Sequence, residues 1–445
     1  MGEGNPAKPG HDPHFPFGDW ETLRSNFLSR AEHNRLVADQ LSRSCTTAAD
    51  VVGSPEAWLG LTAITKADVI QDQALDPPYG QRRAVGVDEI GLVLESSGST
   101  GKGREVHYLT QGDITRTAMA WAHYLSRMGV TSKDVVALCF PVGMAGGGIR
   151  HMLAYSQLGA KVLRVGALPT ERKIEAIRYY RASTLVATPA YVDRLAVVTE
   201  ELGLTPSELG IRRIMVATQS VSVEWVRTTE EMWAARLYEW YGTSSGIAAF
   251  ACARGMADGD GRGTLHWDPQ ISVHEVLDVD SGQPVDDGEH GELVGSPLLN
   301  EAEPLFRFAT GDLVRYRAPG SCPCNSRWPG IESGTVRRLD DSFKVKGVNL
   351  SPATVDAVIL GRPEVLDYRA RIWQDGGKRE QLAIELLTQS GTAEDLAVQL
   401  AGRLRADTGL SFAVTVTGER STWSLQTSGE AGKAKRWVDE RAAAS

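Results

Sequence analysis

Between residues 135 and 217 the apolar positions come in short runs: VVALCF at 135–140, KVLRV at 161–165, TLVA at 184–187 and RIMVA at 213–217. Longer stretches of helical period separate them, such as 149–158 and 170–180. Strand-length apolar runs alternating with helices of about ten residues predict a mostly parallel sheet covered on both faces. Upstream, Trp20, Leu23, Phe27, Leu28, Ala31, Leu36 and Leu41 recur at helical spacing and predict one or two helices within 19–50. The stretch 113–128 follows a Thr-Gln-Gly-Asp start signal and reads as an amphipathic helix. From about residue 270 the texture changes to alternating segments broken by turn dipeptides, SVHEVLDVDSG, GELVGS and DLVRYRAPG. Beyond about 340 a smaller α+β unit follows, with strands predicted at 368–373 and 382–387 and a helix at 393–407.

At 445 residues the chain exceeds what one compact core holds, so two or more domains are expected. Its 47 basic and 56 acidic residues leave a net charge of −9, which argues against nucleic acid as a partner. No run of about 18 apolar residues offers a membrane span, and the Pro/Gly-rich start has no apolar signal core. A cytoplasmic protein with a loose leader is expected, with no membrane partner. Five cysteines do not make a disulfide framework; thiols or metal ligands are the alternatives.

The chemistry centres on LESSGSTGKGR at 94–104. Its glycines let backbone N–H groups turn inward and its hydroxyls add donors, a composition suited to wrapping a polyphosphate. It is not a GxxxxGK[ST] loop, because that order and spacing are absent. Further motifs follow in a fixed order: TPAY at 188–191, YGTS at 241–244, FATGDL at 308–313, RLDDSFKVKGVN at 338–349 and GKAKR at 432–436. Together they resemble the adenylate-forming acyl-CoA ligase superfamily, and within it the phenylacetate-CoA ligase branch, over residues from about 56 to 441. The resemblance implies a large N-terminal adenylation domain at 1–339. Its parallel sheets are flanked by helices and joined to a β-rich subdomain. A small mobile α+β lid follows at 340–445, hinged at Asp340.

The same resemblance assigns roles. Ser96, Ser97, Gly98, Ser99, Thr100, Gly101 and Lys102 would hold the ATP phosphates, and Tyr241, Gly242, Thr243 and Ser244 the adenine. Asp312, acceptor-only when ionised, would grip the ribose hydroxyls, and Arg338 would add a planar fork for ribose or α-phosphate. Lys433, with Thr100 and Arg338, forms the catalytic set; its ammonium would stabilise charge on the α-phosphate. Cys252, His266, Cys322 and Cys324 match the structural zinc set of some relatives, three thiolates and an imidazole. Cys45 and Cys139 read as core residues in a helix and a strand.

Departures accompany the matches. Ser245 stands where the family carries a glutamate that helps hold magnesium, so a hard oxygen ligand is missing. Ala217-Thr218-Gln219-Ser220 replaces a GAEP turn, and Arg337 replaces a glycine. Phe140, Gly143, Ala145, Gly146 and Gly147, with Ile247 opposite, are expected to wall an acyl pocket with room for an aromatic or small cyclic acid. The expected activity is ATP-dependent acyl-adenylate formation followed by transfer to a thiol, with magnesium as cofactor. Coenzyme A and carrier-protein phosphopantetheine present the same thiol arm, so an acyl carrier protein is one partner to consider and a second copy of the chain another. Two alternatives stand beside it: transfer to an amine or other non-thiol acceptor, and a nucleotide-binding module that has lost turnover.

Overall fold

The computed structural model describes residues 29–441 except 32, 45–46, 49, 51–54, 97–103, 218–219, 260, 270, 340–342, 363, 378, 389–392, 419–422, 424–425 and 429–432. Side chains of 55–56, 349, 353, 393–394, 426–428 and 433–435 also lie outside the described set. The predicted α/β class holds. The main sheet begins with five strands in the spatial order Lys161–Arg164, Val135–Leu138, Thr184–Ala187, Arg213–Val216 and Arg236–Gly242. All neighbours in this half are parallel. It continues through Ala248–Ala251, Thr264–His266, Gly330–Glu332, Phe308–Arg317, His290–Pro297 and Ser272–Leu277, with Arg337–Arg338 also paired to Phe308–Arg317. Every pairing in this second half is antiparallel.

Burial explains both textures. In the parallel half, Ala137, Leu185 and Ile214 pack into one apolar cluster and Val136, Val186 and Met215 into another. Alternate side chains thus meet helices on opposite faces, so a fully buried strand reads as an unbroken apolar run. In Phe308–Arg317 buried and half-buried positions alternate, as in a strand with one covered face. The predicted strands and helices occur with ends shifted by a residue or more: the strand expected to reach Phe140 stops at Leu138, so Cys139 lies just beyond it. The helix after the loop spans Gln111–Arg127, capped by Thr110 in a reciprocal box with Asp113. Of the predicted N-terminal helices, Arg35–Arg43 is described; Cys45 and residues 19–28 lie outside the described residues.

The C-terminal part builds its own four-stranded sheet, in the order Ala413–Thr417, Glu380–Thr388, Val365–Gln374, Trp437–Asp439. Val355, Tyr368, Ile384 and Leu400 share its separate core. It meets the main sheet through buried Arg436, whose Nε donates to Asp367 Oδ1 at 2.6 Å and Nη2 to the Ser220 carbonyl at 2.6 Å. The Ser222 hydroxyl adds a bond to the Leu366 carbonyl at 3.1 Å. Among the described residues no helix is long and apolar enough to cross a membrane.

Candidate functional site

Three of the expected residues meet where the parallel half gives way to the antiparallel half. Tyr241 lies in the strand Arg236–Gly242, and Asp312 sits opposite Arg338 in the register of their antiparallel pair. The Tyr241 hydroxyl donates to Asp312 Oδ2 at 2.7 Å, and Arg338 Nη1 donates to Asp312 Oδ1 at 3.1 Å and to the Thr310 carbonyl at 2.8 Å. Gly311, between Thr310 and Asp312 in the strand Phe308–Arg317, has φ +70°, and a Cβ there would come 2.8 Å from Arg338 Nη2, so this point of the strand favours glycine. Burial first, then the Asp312 charge, pushes the Tyr241 phenol well above its ordinary range, so it stays a donor. Glu239, on the same strand, accepts from the Ser333 hydroxyl at 2.6 Å and the Gly334 N–H at 2.5 Å. Those bonds fix the turn leading to Arg338. Burial first raises the Glu239 carboxyl to about 7, with the bonds from Ser333 and Gly334 opposing.

The turn from Gly242 to Gly246 is held from two sides by residues that motif reading passed over. Arg150, on the helix Gly146–Gln157, donates to the Thr243 carbonyl at 2.6 Å and the Ser244 carbonyl at 2.8 Å. Asn300 donates to the Ser245 carbonyl at 2.8 Å. Ser245 is buried, and its hydroxyl pairs with Thr243 Oγ1 at 2.7 Å. Arg150 is itself buried, which lowers its guanidinium to about 10. One sequence signal was available: an arginine inside the otherwise apolar, glycine-rich start GGGIRHML.

Ser96 closes the neck of the expected phosphate loop. Its N–H donates to the Glu105 carbonyl at 2.9 Å and its Oγ accepts from the Glu105 N–H at 3.0 Å, one step beyond the Glu95–Val106 pair of a hairpin. Glu95 N–H donates to the Met144 carbonyl at 2.9 Å, joining that neck to the segment expected to wall an acyl pocket. Ser97, Gly98, Ser99, Thr100, Gly101 and Lys102, and the hinge residue Asp340, lie outside the described residues. Lys433 opens the short strand Lys433–Lys435, opposite Ser428; its side chain is outside the described set.

Of the expected acyl-pocket residues, Phe140 and Gly147 converge on Trp240. The Phe140 ring is 6.0 Å from it, edge to face, and a Cβ on Gly147 would lie 3.1 Å from Trp240 Cη2. Gly146 packs against Arg150 and Leu94, while Gly143 is exposed and Ala145 half-buried at the helix start. Ile247 packs instead under Gly295, in the apolar cluster that holds Tyr241 and Phe308.

The sulfur cluster forms at the edge of the antiparallel half. Pairing of Ala248–Ala251 with Thr264–His266 brings Cys252 next to His266, and the loop after Arg317 supplies Cys322 and Cys324. The four ligand atoms all lie within 4.8 Å of one another. Cys252 and Cys322 sulfurs are 4.0 Å apart, and Cys324 Sγ is 3.4 Å from His266 Nε2. His266 Nδ1 faces the Trp328 and Pro329 carbonyls at 3.1 and 3.3 Å, so the proton belongs on Nδ1 and Nε2 is left as a ligand. The hydrogen bond from Cys252 is the main cause that holds the Cys322 thiol well below its ordinary range.

The family model for the AMP-binding enzyme matches residues 28–296. Among curated proteins, phenylacetate-coenzyme A ligase of Thermus thermophilus is 29% identical over 286 residues, which cover 64% of this chain and 63% of that protein. The match thus spans less than two thirds of that relative's length. The Aromatoleum evansii protein of the same name is 26% identical over 380 residues, covering 82% and 81%. Among solved structures, 2-hydroxyisobutyryl-CoA ligase in the postadenylation state aligns with a TM-score of 0.76 and 20% identity, covering 95% of this chain and 89% of that one.

Proposed function

Because the chain belongs to the AMP-binding enzyme family, we propose that it activates a carboxylic acid with ATP and passes the acyl group to a thiol. In the first half-reaction the carboxylate oxygen bonds to the α-phosphorus and pyrophosphate leaves. In the second, a thiol attacks the acyl carbon and AMP leaves. The observation that carries this reading is the Tyr241–Asp312–Arg338 node beside the Gly242–Gly246 turn. Asp312 is held by Tyr241 at one oxygen and by Arg338 at the other, and a carboxylate so placed is an acceptor suited to ribose hydroxyls. Arg338 brings a cation to the same edge, suited to phosphoryl charge.

Thr100 and Lys102 on the 96–105 loop would hold the phosphates, and Lys433 would reach them from the 340–445 unit turning about Asp340. Phe140, Gly147 and Trp240 would wall the acid. The thiol would be coenzyme A or the phosphopantetheine of a carrier protein. Cys252, His266, Cys322 and Cys324 fit zinc in number, spacing and donor type, and the ion would pin the 318–329 loop to the sheet. The Gly242–Gly246 turn, GTSSG, holds no carboxylate for magnesium, and the Ser245 hydroxyl is turned to Thr243. Magnesium bound to ATP would draw its ligands from the nucleotide and from elsewhere in the site.

Pyrophosphate release measured with a panel of carboxylic acids tests the reading. Release that needs both ATP and an acid, with thioester formed on adding coenzyme A, is expected. No acid-dependent release would overturn it, and an acyl product found only on amines would move the acceptor. Asp312→Ala should raise the KM for ATP about 100-fold, since a hydrogen bond to a charged group is lost at each ribose hydroxyl. Steady-state kinetics at fixed acid check this. An unchanged KM would remove Asp312 from the nucleotide site.

A further inference from the structure

Resting on the proposed acid activation, we infer that the acid is a flat-ring carboxylate bearing a hydroxyl group, and that His151 reads that hydroxyl in an aromatic recess beside the Gly242–Gly246 turn. His151 lies one residue beyond Arg150 on the Gly146–Gln157 helix and is fully buried. Neither of its ring nitrogens has a hydrogen-bond partner among the described residues. Around it stand Trp240 at 4.4 Å between ring centres, Trp121 at 5.2 Å and, stacked, Tyr155 at 5.5 Å. Trp240 Nε1 and the Tyr155 hydroxyl are likewise without partners among the described residues. Buried polar groups are nearly always paired, so three such side chains packed together call for a polar guest.

The aromatic cluster borders the surface at two glycines. Gly147 is half-buried and Gly242 exposed. A Cβ on Gly147 would lie 3.1 Å from Trp240 Cη2; one on Gly242 would lie 3.1 Å from Trp240 Cζ3 and 3.5 Å from Trp121 Cη2. Side chains at these two places would cover the indoles, and glycine leaves their edges open. Phe140, edge to face with Trp240, adds a further aromatic wall. Flat aromatic surfaces of this kind select a flat ring.

The donor set selects the substituent. Burial lowers His151 to about 3, so the imidazole is neutral and offers one N–H and one bare nitrogen. Trp240 Nε1 offers only a donor and lies across the indole from the Cη2–Cζ3 edge that meets the glycines, whereas the Tyr155 hydroxyl offers both donor and acceptor. A hydroxyl can donate to the bare imidazole nitrogen and accept from the Tyr155 O–H at once. A carboxylate only accepts and an ammonium only donates, so each leaves part of the set unmatched. An arylamine nitrogen is a weak acceptor and is a poorer match for the same reason.

The test compares benzoate with its three monohydroxy isomers, and phenylacetate with 4-hydroxyphenylacetate, in ATP-dependent pyrophosphate release by the wild-type chain and by His151→Phe. One hydroxylated acid should exceed its parent in kcat/KM by about tenfold or more. His151→Phe should erase that preference, lowering the ratio of kcat/KM for the hydroxylated acid over its parent by about tenfold. Equal turnover of parent and hydroxylated acids by wild type would overturn the inference, as would equal losses on both in a His151→Phe protein that melts like wild type. If the phenylalanine variant does not fold, His151→Asn, which keeps a donor and an acceptor, must retain part of the preference or the inference fails. Tryptophan fluorescence titrated with the same acids without ATP reads the recess separately. A hydroxyl preference there with no pyrophosphate released from any acid would sink the adenylation reading and leave the recess standing.

Discussion

Lys433→Ala should slow acyl-adenylate formation about a thousandfold while leaving thioester formation from supplied acyl-adenylate within a few-fold of wild type. The expectation rests on where the strand Lys433–Lys435 is anchored. Three residues on from Lys433, Arg436 is buried, bonds to Asp367 of its own unit and reaches the carbonyl of Ser220, in the segment between the strand Arg213–Val216 and the helix Val223–Trp233. The Ser220 hydroxyl in turn donates to the Val336 carbonyl at 2.7 Å, two residues before Arg338. A short series of bonds therefore runs from the lysine strand to the residue paired with Asp312. An ammonium delivered from that strand would act where charge develops on the α-phosphate, and the thiol step has no such charge to stabilise. Pyrophosphate release and single-turnover thioester formation measure the two steps separately. Equal losses in both, with melting unchanged, would show that Lys433 serves neither step selectively.

How much of this was legible beforehand differs between levels for physical reasons. Strands buried on both faces must be apolar throughout, so TLVA at 184–187 and RIMV at 213–216 announced themselves. The change from parallel to antiparallel pairing did not: it falls at Arg236–Gly242 and Ala248–Ala251, before the texture shifts at about 270, because both strands are buried like their parallel neighbours. Tyr241, Asp312 and Arg338 were each marked by a motif. That they share hydrogen bonds across 71 and 26 residues of chain is a property of the register of the sheet. Arg150 and Asn300 act through backbone carbonyls of the Gly242–Gly246 turn, and such contacts leave no pattern in the residue types they touch. The unmet nitrogens of His151 are invisible in sequence, where a histidine beside apolar residues looks the same whether or not it is satisfied.

The sulfur cluster supports the second large effect. Purified protein should carry about one zinc per chain, and Cys322→Ser should abolish it and lower the melting temperature by about 5 °C or more. The ligands come from three places: the end of Ala248–Ala251, the strand Thr264–His266 and the loop bearing Cys322 and Cys324. Beyond the Tyr316–Ile331 and Arg317–Gly330 pairs and the bonds from His266, an ion would tie that loop to the sheet in one geometry. Its binding free energy would appear as stability of the folded chain, because the unfolded chain does not hold the four donors together. Without zinc, the buried Cys252 and Cys322 keep only each other and their neighbours as weak partners. Cys139→Ser, at a buried position just past the strand Val135–Leu138, should leave the zinc content unchanged and so controls for general damage from losing a thiol. Elemental analysis and thermal melts with and without a chelator decide the matter. Metal-free protein whose melting ignores both the chelator and Cys322→Ser would remove zinc from this site and leave three reduced thiols and a histidine packed at the sheet edge.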